Sequence, residues 1–262
     1  MLPGARSVSG PSVLGVIPAR LGAVRLPGKP LRLLGGRPLI QHVALNARAS
    51  GVLEEVVVAS DADEVLAAAE AVGVRGVRTR SDHSSGTSRV AEVAARSEFA
   101  GAGVVVNVQG DEPFLPAAAI RGAVGEVLRG WDVGTAAVPL DAAEAVAPSV
   151  VKVVLDEMGR ALYFSRAPIP HDRAGEGAVR YWQHVGVYAY RPDALALWSM
   201  LPATEPEDAE KLEQLRALGH GLSIGVARLN IAALPGIDTE DDLRRAEAHL
   251  AALGPHDAMS EG

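Results

Sequence analysis

Residues 13–31 read VLGVIPARLGAVRLPGKPL and decide the fold of this chain. The first five form a short apolar run of strand-forming residues, which predicts a buried β-strand. The loop that follows is rich in glycines and cations: Gly22, Gly28, Arg20, Arg25 and Lys29. A loop of this kind at the carboxyl end of a first strand is where an open α/β sheet binds phosphorylated ligands, because glycine lets backbone N–H groups approach oxygen atoms while cations neutralise charge. The alternative is a surface loop whose three cations are simply solvated.

Two common phosphate-binding motifs are excluded by the spacing of this loop. A P-loop needs one residue fewer between Gly22 and the Gly28-Lys29 pair, and Pro30 occupies the position where Ser or Thr would bind magnesium. The G-x-G-x-x-G dinucleotide fingerprint is also missing. The loop therefore predicts a phosphate site of another kind.

Composition excludes several classes of protein. The chain has 262 residues, a formal net charge of −7 and no cysteine. Disulfides, thiolate metal sites and a cysteine nucleophile are therefore excluded, and the acidic balance argues against nucleic-acid binding. No apolar run reaches the ~20 residues that span a bilayer. We expect a cytoplasmic protein with no nucleic-acid or membrane partner.

Strand-like and helix-like segments alternate through the first half of the chain. Apolar runs at residues 56–59, 74–77 and 104–108 are separated by helical patterns, which predicts a mostly parallel sheet with right-handed crossovers and helices on both faces. We expect one α/β domain over residues 13–253, with a disordered leader at 1–12 and a flexible tail at 254–262.

An acid pair follows the most central strand of the predicted sheet. Residues 104–108 lead directly into Gln109, Gly110, Asp111 and Glu112, at the same edge as the cationic loop. Mg²⁺ bound together with phosphates usually takes one or two carboxylates, so Asp111 is a candidate ligand. A solvated turn explains the sequence equally well for Asp111 and better for Glu112.

The polar loop at residues 79–87 contains Asp82, His83 and Ser84, which suggests a hydrolytic triad. Contiguous residues rarely assemble such a triad, and no Gly-x-Ser-x-Gly elbow is present. Helix capping and loop hydrogen bonds explain these residues better.

The pattern changes in the second half of the chain. Residues 150–155 and 161–164 flank a turn and predict a β-hairpin, and residues 139–200 as a whole form the expected antiparallel segment. A helix is predicted over residues 206–218, in which Glu210 and Gln214 lie one turn apart on the same face.

Several blocks, in order from Val16 to about Ala246, resemble the 3-deoxy-manno-octulosonate cytidylyltransferase (CMP-Kdo synthetase) family of sugar-acid cytidylyltransferases. They are PAR at 18–20, RLPGKPL at 25–31, RSDHSSGT at 80–87, VNVQGDEP at 106–113, ALYFSRAPIP at 161–170, HVGVY at 184–188, LEQLR at 212–216 and PGIDT at 235–239.

The resemblance implies a nucleotidyltransferase-type, Rossmann-like α/β fold and a homodimer formed through the antiparallel segment. It implies CTP as a substrate, Mg²⁺ as the metal, and a small acidic acceptor. The residues that would act in catalysis are Arg20, Lys29, Asp111 and Asp238, of which Asp111 and Asp238 would hold the metal. The residues that would bind the nucleotide are Ala19, Arg20, Arg25, Lys29, Arg80, Ser85, Gly86, Gln109, Gly110 and Asp111. Those that would bind the acceptor are Arg80, Gln109, Arg166, His184, Tyr188, Glu213 and Gln214.

Two positions depart from the family pattern. Ala23 replaces a usual Ser, and Ser88 replaces a usual Asp or Glu. These changes are either drift or the mark of a different acceptor, such as the phosphonate phosphonoformate in a natural-product pathway. A further alternative is a non-catalytic nucleotide-binding protein that kept the fold.

Overall fold

The structure is a computed structural model that describes residues 10–22, 25–173, 175, 179–232 and 236–257, and side chains to residue 252. Ala23, Pro235, most of the expected leader and the last five residues of the expected tail lie outside these ranges.

Strands and helices alternate through most of the chain. The strands are β1 Val13–Pro18, β2 Leu33–Leu34, β3 Arg37–Pro38, β4 Glu55–Ser60, β5 Arg75–Arg78, β6 Val104–Val108, β7 Val133–Leu140, β8 Lys152–Leu155, β9 Ala161–Ser165, β10 Tyr181–Tyr190 and β11 Ile224–Arg228. The helices are α1 Leu39–Ala49, α2 Asp63–Glu70, α3 Gly86–Ala94, α4 Ala117–Leu128, α5 Ala142–Ala145, α6 Pro192–Met200, α7 Glu205–Glu210, α8 Gln214–Gly219 and α9 Glu240–Asp257.

Seven strands form the main sheet in the order β11-β7-β10-β6-β1-β4-β5. The pairs β1–β4, β1–β6, β4–β5 and β7–β11 are parallel, whereas β10 runs antiparallel to both neighbours. The carboxyl ends of β1, β6, β7 and β11 therefore meet at one edge of the sheet, and the first half of β10 starts there too. This edge carries the candidate site.

Helices cover both faces of this sheet, as the sequence predicts. Val13 and Ile17 of β1 pack into a core with α1, α2 and α4, while Leu14 and Val16 pack into a second core with α3, α6 and α8. Because alternate side chains of one strand enter different cores, the strand must be apolar throughout.

The antiparallel segment also agrees with the prediction. β8 and β9 form a hairpin, and β8 also pairs with β10 at Gln183 and Lys152. β9 is hydrogen-bonded to β8 alone within the described strands.

One predicted helix is wrong. Pro38 pairs in β3 and directly precedes α1. Leu128, the last residue of α4, is 57% exposed. The helix predicted over residues 206–218 is two helices, because Lys211 adopts a left-handed conformation with φ of 53° between α7 and α8. Glu210 and Gln214 therefore do not share a helical face.

α9 continues to Asp257, four residues into the segment expected to be a flexible tail. Over the described ranges, no helix combines the length and apolar character that a bilayer crossing requires.

Candidate active site

The cationic loop after β1 is held by one glycine and a small hydrophobic cluster. Gly28 has φ of 65°, a left-handed conformation that favours glycine, and it caps the 3₁₀ turn Lys29–Leu31. Leu26 and Leu34 are fully buried against Ile237 and Leu243, which flank the start of α9. This packing brings the loop beside the segment that carries Asp238.

Lys29 lies between the two predicted metal-binding carboxylates. Its Nζ donates to Oδ2 of Asp111 at 2.6 Å and to Oδ1 of Asp238 at 2.8 Å. Arg25 donates from Nη2 to Oδ2 of Asp238, also at 2.8 Å. Four predicted site residues from three distant parts of the sequence thus form one network.

Backbone contacts fix the positions of these carboxylates. The amide of Ile237 donates to the carbonyl of Asp111 at 2.8 Å, which joins the two loops. A Cβ atom on Gly110 would lie 2.9 Å from the carbonyl oxygen of Pro18, at the end of β1. Because that contact is with backbone, any larger residue at position 110 would push the loops apart.

The charges of this network stabilise one another. Burial alone would lower the pKa of Lys29, but attraction and hydrogen bonds from Asp111 and Asp238 outweigh it and raise the pKa above its usual value. Burial would raise the pKa of Asp238, but the hydrogen bond and charge of Lys29 together with Arg25 lower it. Lys29 is therefore a cation and Asp238 an anion at neutral pH.

The two carboxylates fit a hard divalent ion. Their oxygens already converge on one cationic group, and two carboxylates with water and phosphate oxygens completing the shell are typical of Mg²⁺ sites. In the part of the chain that is described, no group of three or more His, Cys, Asp or Glu residues could hold a metal. A bound ion would therefore depend on its substrate for further ligands.

Glu112 does not point to solvent, contrary to the preferred interpretation of the sequence. Its Oε1 lies only 2.4 Å from where a Cβ atom on Gly186 of β10 would stand. Burial of the carboxyl, followed by the nearby charge of Asp111, raises its pKa to about 8. No local sequence pattern predicts this inward orientation, because it depends on a glycine in a distant strand.

Glu213 is held by the loop before α3. Its Oε1 accepts from the Ser85 hydroxyl and its Oε2 from the Thr87 hydroxyl, both at 2.9 Å. Thr87 was not among the predicted site residues. Ser85 caps α3 in a reciprocal capping box with Ser88, so this box fixes the hydroxyls that bind Glu213.

His184 and Tyr188, two of the predicted acceptor-binding residues, lie four positions apart on β10. Their ring centroids are 5.3 Å apart, and both side chains are buried. Burial lowers the pKa of His184 to about 3, so its imidazole is neutral. Burial raises the pKa of Tyr188 well above its usual value, and the charges of Tyr190, Glu213 and Glu112 raise it further.

The tautomer of His184 follows from its partner. The Thr135 hydroxyl lies 2.7 Å from the Val187 carbonyl, to which it donates, and 3.0 Å from Nε2 of His184. The single hydroxyl proton is thus already used, so Nε2 of the neutral ring donates to Thr135. Nδ1 is left as an acceptor.

Three more of the predicted site residues are arginines. Arg20 is exposed and has no ion-pair partner among the described residues. Arg80 is exposed near Asp82 and Glu92, 3.5 Å from each. Arg166 donates to the backbone carbonyls of Glu210 and Pro148, so its guanidinium joins the end of α7 to the loop before β8.

Other predicted residues are distributed along the same edge. Ala19 is buried and donates to the Ala59 carbonyl, and the Cβ position of Gly86 lies 3.3 Å from Pro18. Gln109 approaches the Cβ position of Gly186 at 3.7 Å, and Gln214 is buried at the start of α8.

Comparison with known proteins identifies the family of this chain. A family profile described as "Cytidylyltransferase" matches residues 14–224. This chain belongs to the cytidylyltransferase family.

Named members of the cytidylyltransferase family match over nearly the whole chain. A 3-deoxy-manno-octulosonate cytidylyltransferase from Gemmatimonas aurantiaca is 54% identical over 92% of this chain and 95% of its own length. One from Xanthomonas campestris pv. campestris is 48% identical over 90% and 98%. The predicted resemblance and the assignment as a nucleotidyltransferase are confirmed.

Solved structures confirm the fold class. The structure of a CMP:2-keto-3-deoxy-manno-octonic acid synthetase complexed with CTP superimposes with a TM-score of 0.86 at 42% identity, covering 92% of this chain and 99% of that one. A 4-diphosphocytidyl-2C-methyl-D-erythritol synthase from Anaerococcus prevotii has a TM-score of 0.58 at 14% identity, covering 93% and 100%, and shares the fold.

Proposed function

We propose that this cytidylyltransferase moves a cytidylyl group from CTP to 3-deoxy-manno-octulosonate in a Mg²⁺-dependent reaction that releases pyrophosphate and gives CMP-Kdo. The observation that carries the proposal is the network of Lys29, Asp111 and Asp238 at the sheet edge. The relatives named above support the choice of substrates.

The cations of the first loop would bind the triphosphate. Arg20 is exposed and unpaired within the described chain, and Arg25 has a side chain that is 68% exposed. Both are accessible to an incoming polyanion. Lys29 lies deeper, and its amine would turn from the carboxylates to phosphate oxygens when the substrate binds.

Asp111 and Asp238 would hold the metal ion. When bound, Mg²⁺ supplies Lewis-acid stabilisation of the charge on the reacting phosphate. Both carboxylates are fixed by backbone contacts and by Lys29, so the protein keeps two anionic ligands together without a substrate.

The acceptor would lie against β10 and the start of α8. Nδ1 of neutral His184 can accept a sugar hydroxyl, and Glu213 is fixed by Ser85 and Thr87 as a further acceptor of hydrogen bonds. The anomeric hydroxyl of the acceptor attacks the α-phosphorus. A new O–P bond forms, the bond to the β-phosphate oxygen breaks, pyrophosphate leaves with the electron pair, and the hydroxyl proton passes to water.

Ser88 does not require a different acceptor. Its hydroxyl closes the capping box with Ser85, a role that Asp or Glu would also perform at this position. The fixed carboxylate of Glu213 suits a polyhydroxylated acid better than a compact phosphonate, because it accepts hydroxyl donors and repels further negative charge. Phosphonoformate is therefore kept as an alternative acceptor in the pyrophosphate-release experiment described below.

The antiparallel segment is proposed as the interface of a homodimer. Leu162 of β9 is 57% exposed and Tyr163 is 36% exposed, on the strand that is bonded to β8 alone among the described strands. An unpaired apolar edge strand is a ready template for pairing with another chain. Leu162→Arg should convert a dimer to a monomer in light scattering after size exclusion. Leu128→Arg, which changes an exposed residue at the end of α4, should leave the dimer intact. Location in the cytoplasm stays a prediction.

The deciding experiment measures pyrophosphate release with CTP and Mg²⁺ in the presence of Kdo, a sialic acid or phosphonoformate. Release with Kdo alone supports the proposal. Release with phosphonoformate alone assigns the other acceptor. CTP binding without release under any condition favours the non-catalytic alternative.

A further inference from the structure

His83 links the body of α3 to the cap at the start of that helix. Its side chain is only 3% exposed. Nε2 lies 2.5 Å from Oε2 of Glu92 and Nδ1 lies 3.1 Å from the hydroxyl of Ser88. A carboxylate only accepts hydrogen bonds, so Nε2 donates to Glu92 and the imidazole is fixed in one orientation.

Ser88 contacts every polar group of Ser85. Its amide donates to the Ser85 hydroxyl at 3.2 Å, and its own hydroxyl donates to the Ser85 carbonyl at 2.9 Å. The Ser85 amide donates back to the Ser88 hydroxyl at 3.3 Å. The position of the Ser88 hydroxyl therefore determines the conformation of Ser85. Nδ1 of His83 contacts the same hydroxyl.

Ser85 in turn orients a carboxylate from a different part of the chain. Its hydroxyl donates to Glu213, which the neighbouring Thr87 hydroxyl also binds, each at 2.9 Å. A continuous series of polar contacts thus runs from Glu92 through His83, Ser88 and Ser85 to Glu213.

We propose that His83 is a positioning residue for Glu213, acting through Ser88 and Ser85. The Ser85 hydroxyl, which the resemblance implies as a nucleotide contact, donates to Glu213 in this structure. His83 should therefore affect the affinity for the acceptor more than the affinity for CTP. The inference rests on the proposed function, which places Glu213 against the acceptor. His83 itself is separated from Glu213 by two residues of the series. Removal of the His83 side chain leaves Glu213 in place but lets the Ser85 hydroxyl, which orients the Glu213 carboxylate, rotate.

The kinetic test compares His83→Ala with wild type. The KM for Kdo should rise about tenfold, because a small misplacement of a binding group has a large effect on a bound substrate. The KM for CTP should stay within about twofold. An equal rise in both KM values, or no rise in either, would overturn the proposal.

Two further variants separate positioning from general stability. The amide of an asparagine can occupy the place of Nδ1, so His83→Asn should recover most of the lost acceptor affinity. Arg96→Ala is the matched control, because Nη2 of Arg96 binds the other oxygen of Glu92 at 3.1 Å without reaching the capping box. A rise in the KM for Kdo in Arg96→Ala equal to that in His83→Ala would contradict the proposal.

A readout without turnover keeps this inference distinct from the proposed function. The Ser88 amide is protected by the Ser85 hydroxyl, so its hydrogen exchange should accelerate in His83→Ala and stay unchanged in Arg96→Ala. Unchanged exchange in both variants would overturn the positioning role. A wild-type enzyme that turns over no acceptor would instead overturn the proposed function, while the exchange rates would still decide the role of His83.

Discussion

Nζ of Lys29 lies 2.8 Å from Oδ1 of Asp238, across a separation of 209 positions in the chain. The same atom lies 2.6 Å from Oδ2 of Asp111. One ammonium group therefore contacts both carboxylates that we propose as metal ligands. A divalent cation would compete with this ammonium for the same oxygens, and the displaced amine would be free to bind phosphate.

This competition predicts opposite effects of Lys29→Met on metal binding and on catalysis. Without the ammonium, Mn²⁺ alone should bind about tenfold more tightly in calorimetry, because the two carboxylates keep only Arg25 as a counter-charge. Turnover with CTP should fall at least ~10²-fold, since a cation that stabilises the transition state is lost. Arg32→Met, which breaks an exposed ion pair with Glu240, is the matched control and should change neither value. Weaker Mn²⁺ binding in Lys29→Met would show that Lys29 does not compete with the metal.

Asp111 gives a second test of the metal assignment. Asp111→Ala should lower kcat by at least ~10²-fold, an effect comparable to loss of an oxyanion donor. The free energy of unfolding should change little, because the Asp111 side chain is partly exposed and the Asp111 backbone carbonyl still accepts from the Ile237 amide. Near-normal turnover in this variant would remove Asp111 from the metal site.

The residues at the sheet edge could be predicted because they follow apolar strands. β1 and β6 are apolar runs apart from Asn107, so their parallel pairing and the meeting of the loops after Pro18 and Val108 follow from general rules of α/β sheets. The roles of Asp238 and Glu213 are implied by resemblance, since nothing in the local sequence places Asp238 beside the loop after β1 or Glu213 beside the start of α3.

Other features depend on contacts that a local pattern does not contain. The break at Lys211 is a left-handed residue with an ordinary lysine side chain, so no glycine or proline marks it. The inward direction of Glu112 requires the space left by Gly186, and the Thr87 hydroxyl finds its partner in a helix far along the chain. Tertiary packing determines the break at Lys211, the direction of Glu112 and the partner of Thr87.

The raised pKa of Glu112 predicts an alkaline limb in the activity profile. This carboxyl is neutral below about pH 8 and becomes charged above it, beside Asp111 and the anionic substrates. kcat/KM should therefore fall as the pH rises through about 8. Glu112→Gln keeps a neutral side chain of the same shape, so it should retain activity near pH 7 and lose less of it at high pH. Superimposable alkaline limbs for variant and wild type would contradict this role.

His184 makes the folded state sensitive to acid. Its pKa is lowered from 6.5 to about 3 by burial, so between these values the unfolded chain binds a proton that the folded chain does not. Stability should be complete above pH 6.5 and should fall towards pH 3, by up to roughly 1.4 kcal/mol per pH unit.

Urea unfolding of wild type and His184→Gln between pH 7.5 and 4.5 measures this slope. The variant should be less stable at pH 7.5, because the ring contacts with Phe164 and Tyr188 are lost, but its stability should depend less on pH. His220→Gln changes an exposed histidine and should keep the wild-type slope. An unaltered slope in His184→Gln would assign the acid sensitivity to other groups.

Two glycines near the contact of α4 with β7 should respond oppositely to the same substitution. A Cβ atom on Gly134 would lie 1.9 Å from the backbone carbonyl oxygen of Ala123, whereas a Cβ atom on Gly125 meets no atom within 4 Å. Gly134→Ala should therefore force α4 away from the sheet and cost on the order of 3 kcal/mol, at the upper end of overpacking penalties. Gly125→Ala lies inside the same helix and should stabilise the protein by roughly 0.5–1 kcal/mol, because alanine loses less backbone entropy. Urea denaturation of the two variants measures both values, and equal stabilities would show that α4 does not pack on β7 as closely as the structure indicates.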